Sequence, residues 1–251
     1  MRISRNDWNN FIKRLSDLNQ QSARLIEEYI NTYGTDDPDQ IVNYSYKVIR
    51  TFSNGSAALN AAMYDVIAEL SGVSVDPAEL ADLPEYGDVA KAVYGTMKTS
   101  LNASEIASAG ARLVKRTGAD TMLQNARRDG AQFAWIPAGD TCAFCLTLAS
   151  RGWQYMSKAA MKDGHAEHIH SNCDCTYAIR FNDRTEVAGY DPAVYREMYE
   201  EADGIKPKDK INSMRRMFYA ENREEILEQK ASAEEKRKEL NSSEAEETKV
   251  D

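Results

Sequence analysis

The stretch Asp140-Thr-Cys142-Ala-Phe-Cys145-Leu-Thr-Leu-Ala-Ser-Arg-Gly152, answered by His170-Ser-Asn-Cys173-Asp-Cys175, holds all four cysteines of a 251-residue chain. The pairs are Cys142-x2-Cys145 and Cys173-x-Cys175, with 27 residues between them, and the three histidines, His165, His168 and His170, sit just before the second pair. Cysteines that only fill a core would be scattered. Two soft-ligand pairs on separate turns can instead close a tetrahedral Zn²⁺ site, because each short turn presents two donors to one side of the ion. Five candidate donors compete for four places: Cys142, Cys145, His170, Cys173 and Cys175. Either the four cysteines ligate, with His170 hydrogen-bonding a thiolate or carbonyl behind them, or His170 replaces one of the last pair. His165 and His168 read as loop residues. Three other readings compete: ordinary buried cysteines, disulfides in an oxidising compartment, and a Cys145–His170 nucleophile, for which the sequence identifies no orienting third group.

Working outward, Phe133-Ala-Trp-Ile-Pro137 is a short apolar run that predicts a strand. Residues 143–150 predict one or two helical turns, stopped by Arg151-Gly152. Thr176-Tyr-Ala-Ile-Arg-Phe181 alternates in polarity and predicts the partner strand. A small α/β module pinned by metal therefore spans residues 131–183. Its apolar residues are few, so metal binding would contribute folding free energy.

Upstream the pattern is helical. Trp8, Phe11, Ile12, Leu15, Leu18, Leu25, Ile26, Tyr29 and Ile30 recur at steps of three and four, which predicts an amphipathic helix over 7–31 that ends near Gly34. Asp36-Asp-Pro38 supplies a cap and a helix-starting proline for a second helix over 40–70, with a break expected at Ser53-Asn-Gly55. Asp76-Pro77 and Leu83-Pro84 frame an expected short connecting helix, and another is expected over 88–100. Asn102-Ala-Ser-Glu105 is a capping-box signature, and that helix is expected to stop at Thr117-Gly118, with Asp120 capping a further segment to Gly130. Downstream, Asp191-Pro192 starts one helix and Lys208 another. From Glu221 the chain is rich in acidic and basic residues and poor in large aliphatics. The expectation is a mainly α protein in four parts: a helical region over 1–130, the Cys/His module over 131–183, C-terminal helices over 184–220, and a charged helical or disordered tail over 221–251.

Composition bounds the function. Net charge is −9 and the pI is near 5.0, which argues against an autonomous nucleic-acid binder with a basic face. The basic pairs Lys115-Arg116, Arg127-Arg128 and Arg215-Arg216 fall in helical patterns and read as solvated faces. No window approaches the roughly 18–20 apolar residues of a membrane span. The opening residues show no signal segment, which leads to the expectation of a cytoplasmic protein or one carried inside an assembly.

The cysteine stretch, preceded by Trp135-Ile-Pro-Ala-Gly, resembles the C-terminal module of the Mu F-like minor head proteins of tailed phages, the phage head-morphogenesis family. Cys142, Cys145, Gly152, His170, Cys173 and Cys175 match the family pattern one for one. Arg151, Gly152 and Tyr155 resemble the version found in phages of Gram-positive hosts. The likeness covers about 50 residues, and only helices and an acidic tail, rather than the protease or toxin domain of some relatives, are expected in the residues after the module.

The resemblance implies a minor capsid protein, built into the phage head in few copies with the portal and scaffold and able to leave with the DNA. It implies structural Zn²⁺ and no catalytic residue. Expected partners are the portal protein, the scaffold or the major capsid protein, with at most weak contact to packaged DNA. The virion is the expected location, with the host cytoplasm during assembly. Tyr44, Tyr46, Met63, Tyr64, Tyr94 and Met97, on the helical region, are the residues expected to dock such a partner or to fill its own core. Two rival functions remain: a zinc-stabilised HNH-like nuclease or other phage effector enzyme, which would need a basic cleft, and a cytoplasmic zinc-ribbon adaptor.

Overall fold

The computed structural model describes residues 2–137, 143–156, 175–187, 189–204 and 206–224, together with 227, 228 and 231. Most of them are helical, with a small sheet. The first helix, α1 (Arg5–Tyr33), starts where the Ser4 hydroxyl accepts from the Asp7 N–H, and ends at Gly34, whose φ of +80° suits a residue without a Cβ. The second, α2 (Pro38–Leu70), is capped by Asp37, which accepts from Gln40 N–H, and has proline in its first turn. Then come α3 (Tyr86–Met97) and α4 (Ala103–Arg128), the latter capped by Asn102 accepting from Glu105 N–H. The central helix is α4, which packs against α1, α2 and α3 and also touches the sheet.

Helix α3 starts two residues earlier and ends three earlier than the expected 88–100, and two expected interruptions are absent. No break occurs at Ser53-Asn-Gly55, and Thr117-Gly118 lies inside α4 rather than at its end. The reason at Gly118 is packing: a Cβ there would lie 2.4 Å from both Asn60 Nδ2 and Ser56 Oγ. Glycine is the price of bringing α4 that close to α2.

The expected connecting helix between Pro77 and Pro84 does not form; residues 73–85 run without helix. Side chains take the backbone groups that a helix would pair internally. Ala78 N–H donates to Asp65, Glu79 N–H to Asn125, and Ala81 N–H to Thr121 Oγ1. The Glu79 carbonyl accepts from Gln124 and Asn125, and the Asp76 and Pro77 carbonyls accept from Arg128. Pro77 and Pro84 also bias the residues before them toward extended conformations.

A three-stranded antiparallel sheet follows, in the order β3 (Gln154–Tyr155), β2 (Gln132–Ile136), β4 (Thr176–Arg180). The predicted strand pair is therefore present, in the register Phe133 to Ile179 and Ile136 to Thr176. The short helix α5 (Ala143–Ala149) packs on β2. Apart from this sheet, β1 (Arg2–Ile3) pairs in parallel with β5 (Glu186–Val187). Helices α6 (Pro192–Glu201) and α7 (Pro207–Glu221) pack on each other and on α5, around Leu146, Met198 and Met214.

Apolar burial is split along the bundle. Trp8 and Phe11, near the start of α1, join Tyr64, Ile67, Met122 and the sheet residues Phe133, Trp135, Tyr177 and Ile179 in one cluster. Ile26 and Ile30, near its end, join Ile41, Ile49, Val89 and Val93 in another. The sheet thus borrows apolar partners from the bundle, and the first cluster runs across residues 130–131. Of the six residues expected to dock a partner or fill the core, Tyr64 is fully buried, while Tyr46, Met63, Tyr94 and Met97 pack partly buried against the two clusters. Tyr44 stacks on Tyr29 with centroids 4.1 Å apart. Most of the charged tail lies outside the described residues.

Candidate metal centre

Antiparallel pairing of β2 with β4 sets the geometry. Ile136, the last residue of β2, pairs with Thr176, the first of β4. The chain therefore leaves β2 toward Cys142 and enters β4 from Cys173 and Cys175 at the same end of the sheet. The exit of β2 and the entry of β4 thus lie at one end of the sheet, although 39 residues separate Ile136 from Thr176 in sequence.

Two of the five candidate donors lie among the described residues. Cys145, in α5, is 1% exposed, and Cys175, next to β4, is 6% exposed. Both belong to the apolar cluster that contains Trp135, Leu148, Met156 and Tyr177. Cys142, His170 and Cys173, like His165 and His168, fall outside the described residues. Among the described residues no three His, Cys, Asp or Glu side chains form a metal-binding group. Buried thiols carried by two different elements are a donor set that suits a soft-ligand ion such as Zn²⁺. In that role Cys145 and Cys175 would tie α5 to β4, and the ion would supply folding free energy by linking them.

The surroundings are aromatic and tight. Trp135 meets Tyr177 edge-on at 4.5 Å, and Phe133 meets Tyr177 at 5.6 Å. The Trp135 indole N–H is buried and has no hydrogen-bond partner among the described residues. Beyond the end of α5, Gly152 closes the turn by donating to the Ala149 carbonyl; its φ of +66° is left-handed, with Pro192 packed 3.3 Å from where a Cβ would stand. This gives a physical reason for the glycine that follows the first cysteine pair. Tyr155, the other residue of that pattern, is 69% exposed on β3.

The sequence did not reveal a brace on the far side. The Tyr190 hydroxyl donates to the Ala149 carbonyl at the end of α5, at 2.9 Å. Tyr190 also stacks with Tyr195 and meets Trp153 edge-on, and the Arg180 guanidinium lies 4.8 Å from the Trp153 ring centroid. Burial pushes the Tyr195 phenol above its ordinary pKa, and the Cys175 thiol adds to the shift. Nothing in the spacing of Tyr195 ties it to a cysteine 20 residues earlier.

A helical bundle bearing a small antiparallel sheet, with cysteine-carrying connections at one sheet end, is the class these elements define. The chain belongs to the VG15 protein family, a phage gene family, whose model matches residues 2–202. That span takes in the bundle, both sets of strands and α6. No curated protein and no solved structure matches the chain.

Proposed function

We propose that this phage protein is a minor capsid protein of the Mu F-like type, incorporated in few copies near the portal and carrying a structural Zn²⁺ in its cysteine module. One observation carries the reading: the β2–β4 register directs both cysteine-bearing connections to one end of the sheet, as a shared metal site requires. Membership of a phage gene family supports the setting. In this reading the metal holds α5 against β4, and the helices dock the portal, scaffold or major capsid protein. No residue has a catalytic role, contact with packaged DNA is weak, and the finished location is the phage head. No described helix is long and apolar enough to cross a membrane.

The test is quantitative mass spectrometry of purified particles from the phage or prophage that encodes the chain. The expected result is this polypeptide in the particle at a small fraction of the major capsid protein. Particles that package DNA and lack the polypeptide would overturn the assignment.

A further inference from the structure

Helix α5 carries Cys145, so whatever holds α5 also sets where that thiol stands. A helix of 7 residues is too short to persist alone, and its position comes from its neighbours. One face places Cys145 and Leu148 in the cluster with Trp135 and Tyr177. Another places the fully buried Leu146 against Met198 of α6 and Met214 of α7.

A polar contact fixes the last turn. The Ala149 carbonyl is among those at the helix end that have no partner within the helix. It accepts from the Gly152 N–H at 3.1 Å and from the Tyr190 hydroxyl at 2.9 Å. Tyr190 is itself anchored, because its N–H donates to the Val187 carbonyl of β5 and its ring meets Trp153 edge-on. The Arg180 guanidinium lies 4.8 Å from the Trp153 ring centroid, and its Nε donates to Gln132 Oε1 at 2.7 Å. Gln132 and Arg180 face each other at the end of the β2–β4 pair opposite to Ile136 and Thr176. A path of contacts, Ala149 to Tyr190 to Trp153 to Arg180 to Gln132, therefore ties the close of α5 to the sheet end away from the cysteine connections.

We propose, resting on the zinc reading above, that Tyr190 is a positioning residue for the metal centre: by fixing the last turn of α5 it holds Cys145 in place relative to Cys175 before metal arrives. The lever is short, since four residues of helix span about 6 Å. The tolerance is smaller still, because ligand distances in metal sites vary by only about 0.2 Å. An α5 free to pivot about its first turn would have to be ordered by the ion, and that ordering would be subtracted from the affinity. With the Tyr190 bond in place, the fold has already done it.

The experiment measures the zinc affinity of the full chain by competition with a chromophoric chelator, for the parent, Tyr190→Phe and Thr121→Val. Tyr190→Phe keeps the ring and removes the donor. Thr121→Val strips the Ala81 N–H of its acceptor on α4 and controls for a loss of stability alone. Tyr190→Phe is expected to bind zinc roughly two- to tenfold more weakly, the range one hydrogen bond spans, while Thr121→Val matches the parent. Cobalt titration should show the same thiolate-to-metal absorption bands in parent and Tyr190→Phe, reached at higher cobalt concentration in the variant. Trp153→Leu, which removes the ring between Tyr190 and Arg180, is expected to weaken zinc binding in the same direction and serves where Tyr190→Phe does not fold. Affinity unchanged in the Tyr190 or Trp153 variant, or lowered equally in Thr121→Val, overturns the proposal. A parent chain that takes up no zinc overturns the metal reading itself, and this inference falls with it.

Discussion

The Tyr64 hydroxyl donates a 2.8 Å hydrogen bond to Asp129 Oδ2, joining the buried face of α2 to the residue that closes α4, 65 positions later. Arg128 grips the same carboxylate through Nε and Nη2, each at 2.8 Å, and reaches the Asp76 and Pro77 carbonyls. Phe181, just past β4, meets the Tyr64 ring edge-on at 5.4 Å. Bundle, sheet and the 73–85 connection therefore converge on one phenol–carboxylate pair.

Tyr64→Phe keeps the ring and removes the donor. A bond to a charged group whose partner stays buried is worth about 1.5–3 kcal/mol, and Arg128 remains to share the load, so the expected loss is at the lower end of that range. Urea unfolding of the full chain measures it as a lower midpoint with an unchanged slope.

Acid should weaken the same junction. Burial by itself raises the Asp129 pKa, but the hydrogen bonds from Arg128 and Tyr64 outweigh it and hold the carboxyl below its ordinary value of 3.8. A carboxylate depressed in the folded state stabilises the fold at pH above its unfolded pKa, and that contribution is lost as pH falls through the folded value. Stability of the parent protein should therefore fall more steeply below about pH 4 than that of Asp129→Asn. Parallel pH profiles for the two proteins would show that Asp129 is not the group responsible.

Gly118 and Gly95 should respond oppositely to alanine. Both are helical, and alanine is intrinsically better in a helix by about 1 kcal/mol. At Gly95 on α3 nothing lies within 4 Å of the new Cβ, so Gly95→Ala should raise Tm. At Gly118 the Cβ would collide with Asn60 and Ser56 at 2.4 Å, so overpacking costing about 1–3 kcal/mol should exceed the gain and lower Tm. Equal responses at the two sites would mean that α4 and α2 are not held this closely.

Reduced protein purified at neutral pH without chelator is expected to contain about one Zn²⁺ per chain, measured by elemental analysis. Because thiolate ligands must be deprotonated, acid or chelator should release it. Cys145→Ser and Cys175→Ser should each lower the zinc content and change the near-ultraviolet signal of Trp135 and Trp153. Helical circular dichroism should fall much less, since the long helices carry their own apolar cluster around Ile26, Ile49 and Val93. Metal-free protein with an unchanged near-ultraviolet spectrum would remove the structural role of zinc.

The long helices were legible because their signals are local. Period-3.6 burial in α1, the Asp37-Pro38 start of α2 and the Asn102 cap of α4 each act within a turn or two of chain. The β2–β4 pair was legible because two short apolar runs flank the cysteine cluster. What stayed hidden depends on distant partners. Gly118 looks like a helix stop until α2 is set beside it, and the segment between Pro77 and Pro84 looks helical until the side chains of α4 take its backbone groups. The two-residue strands β1, β3 and β5 are too short to carry any period. At the candidate centre, residue type and spacing single out candidate donors, but neither discloses that Tyr190 braces α5 or that Cys175 acts on Tyr195.

Pairing Arg2–Ile3 with Glu186–Val187 has a consequence in time. Ile3 is buried among residues of the sheet cluster, and Val187 beside it is more enclosed still. At roughly 5–20 residues per second of synthesis, the first strand waits about 10–40 s for its partner to be made. During that interval α1 exists with its opening residues unanchored and the apolar surface around Trp8 and Phe11 lacking the strands that later cover it. A nascent chain halted before residue 186 should therefore expose this end of α1 to chaperones and proteases, and release only a few tens of residues later should hide it.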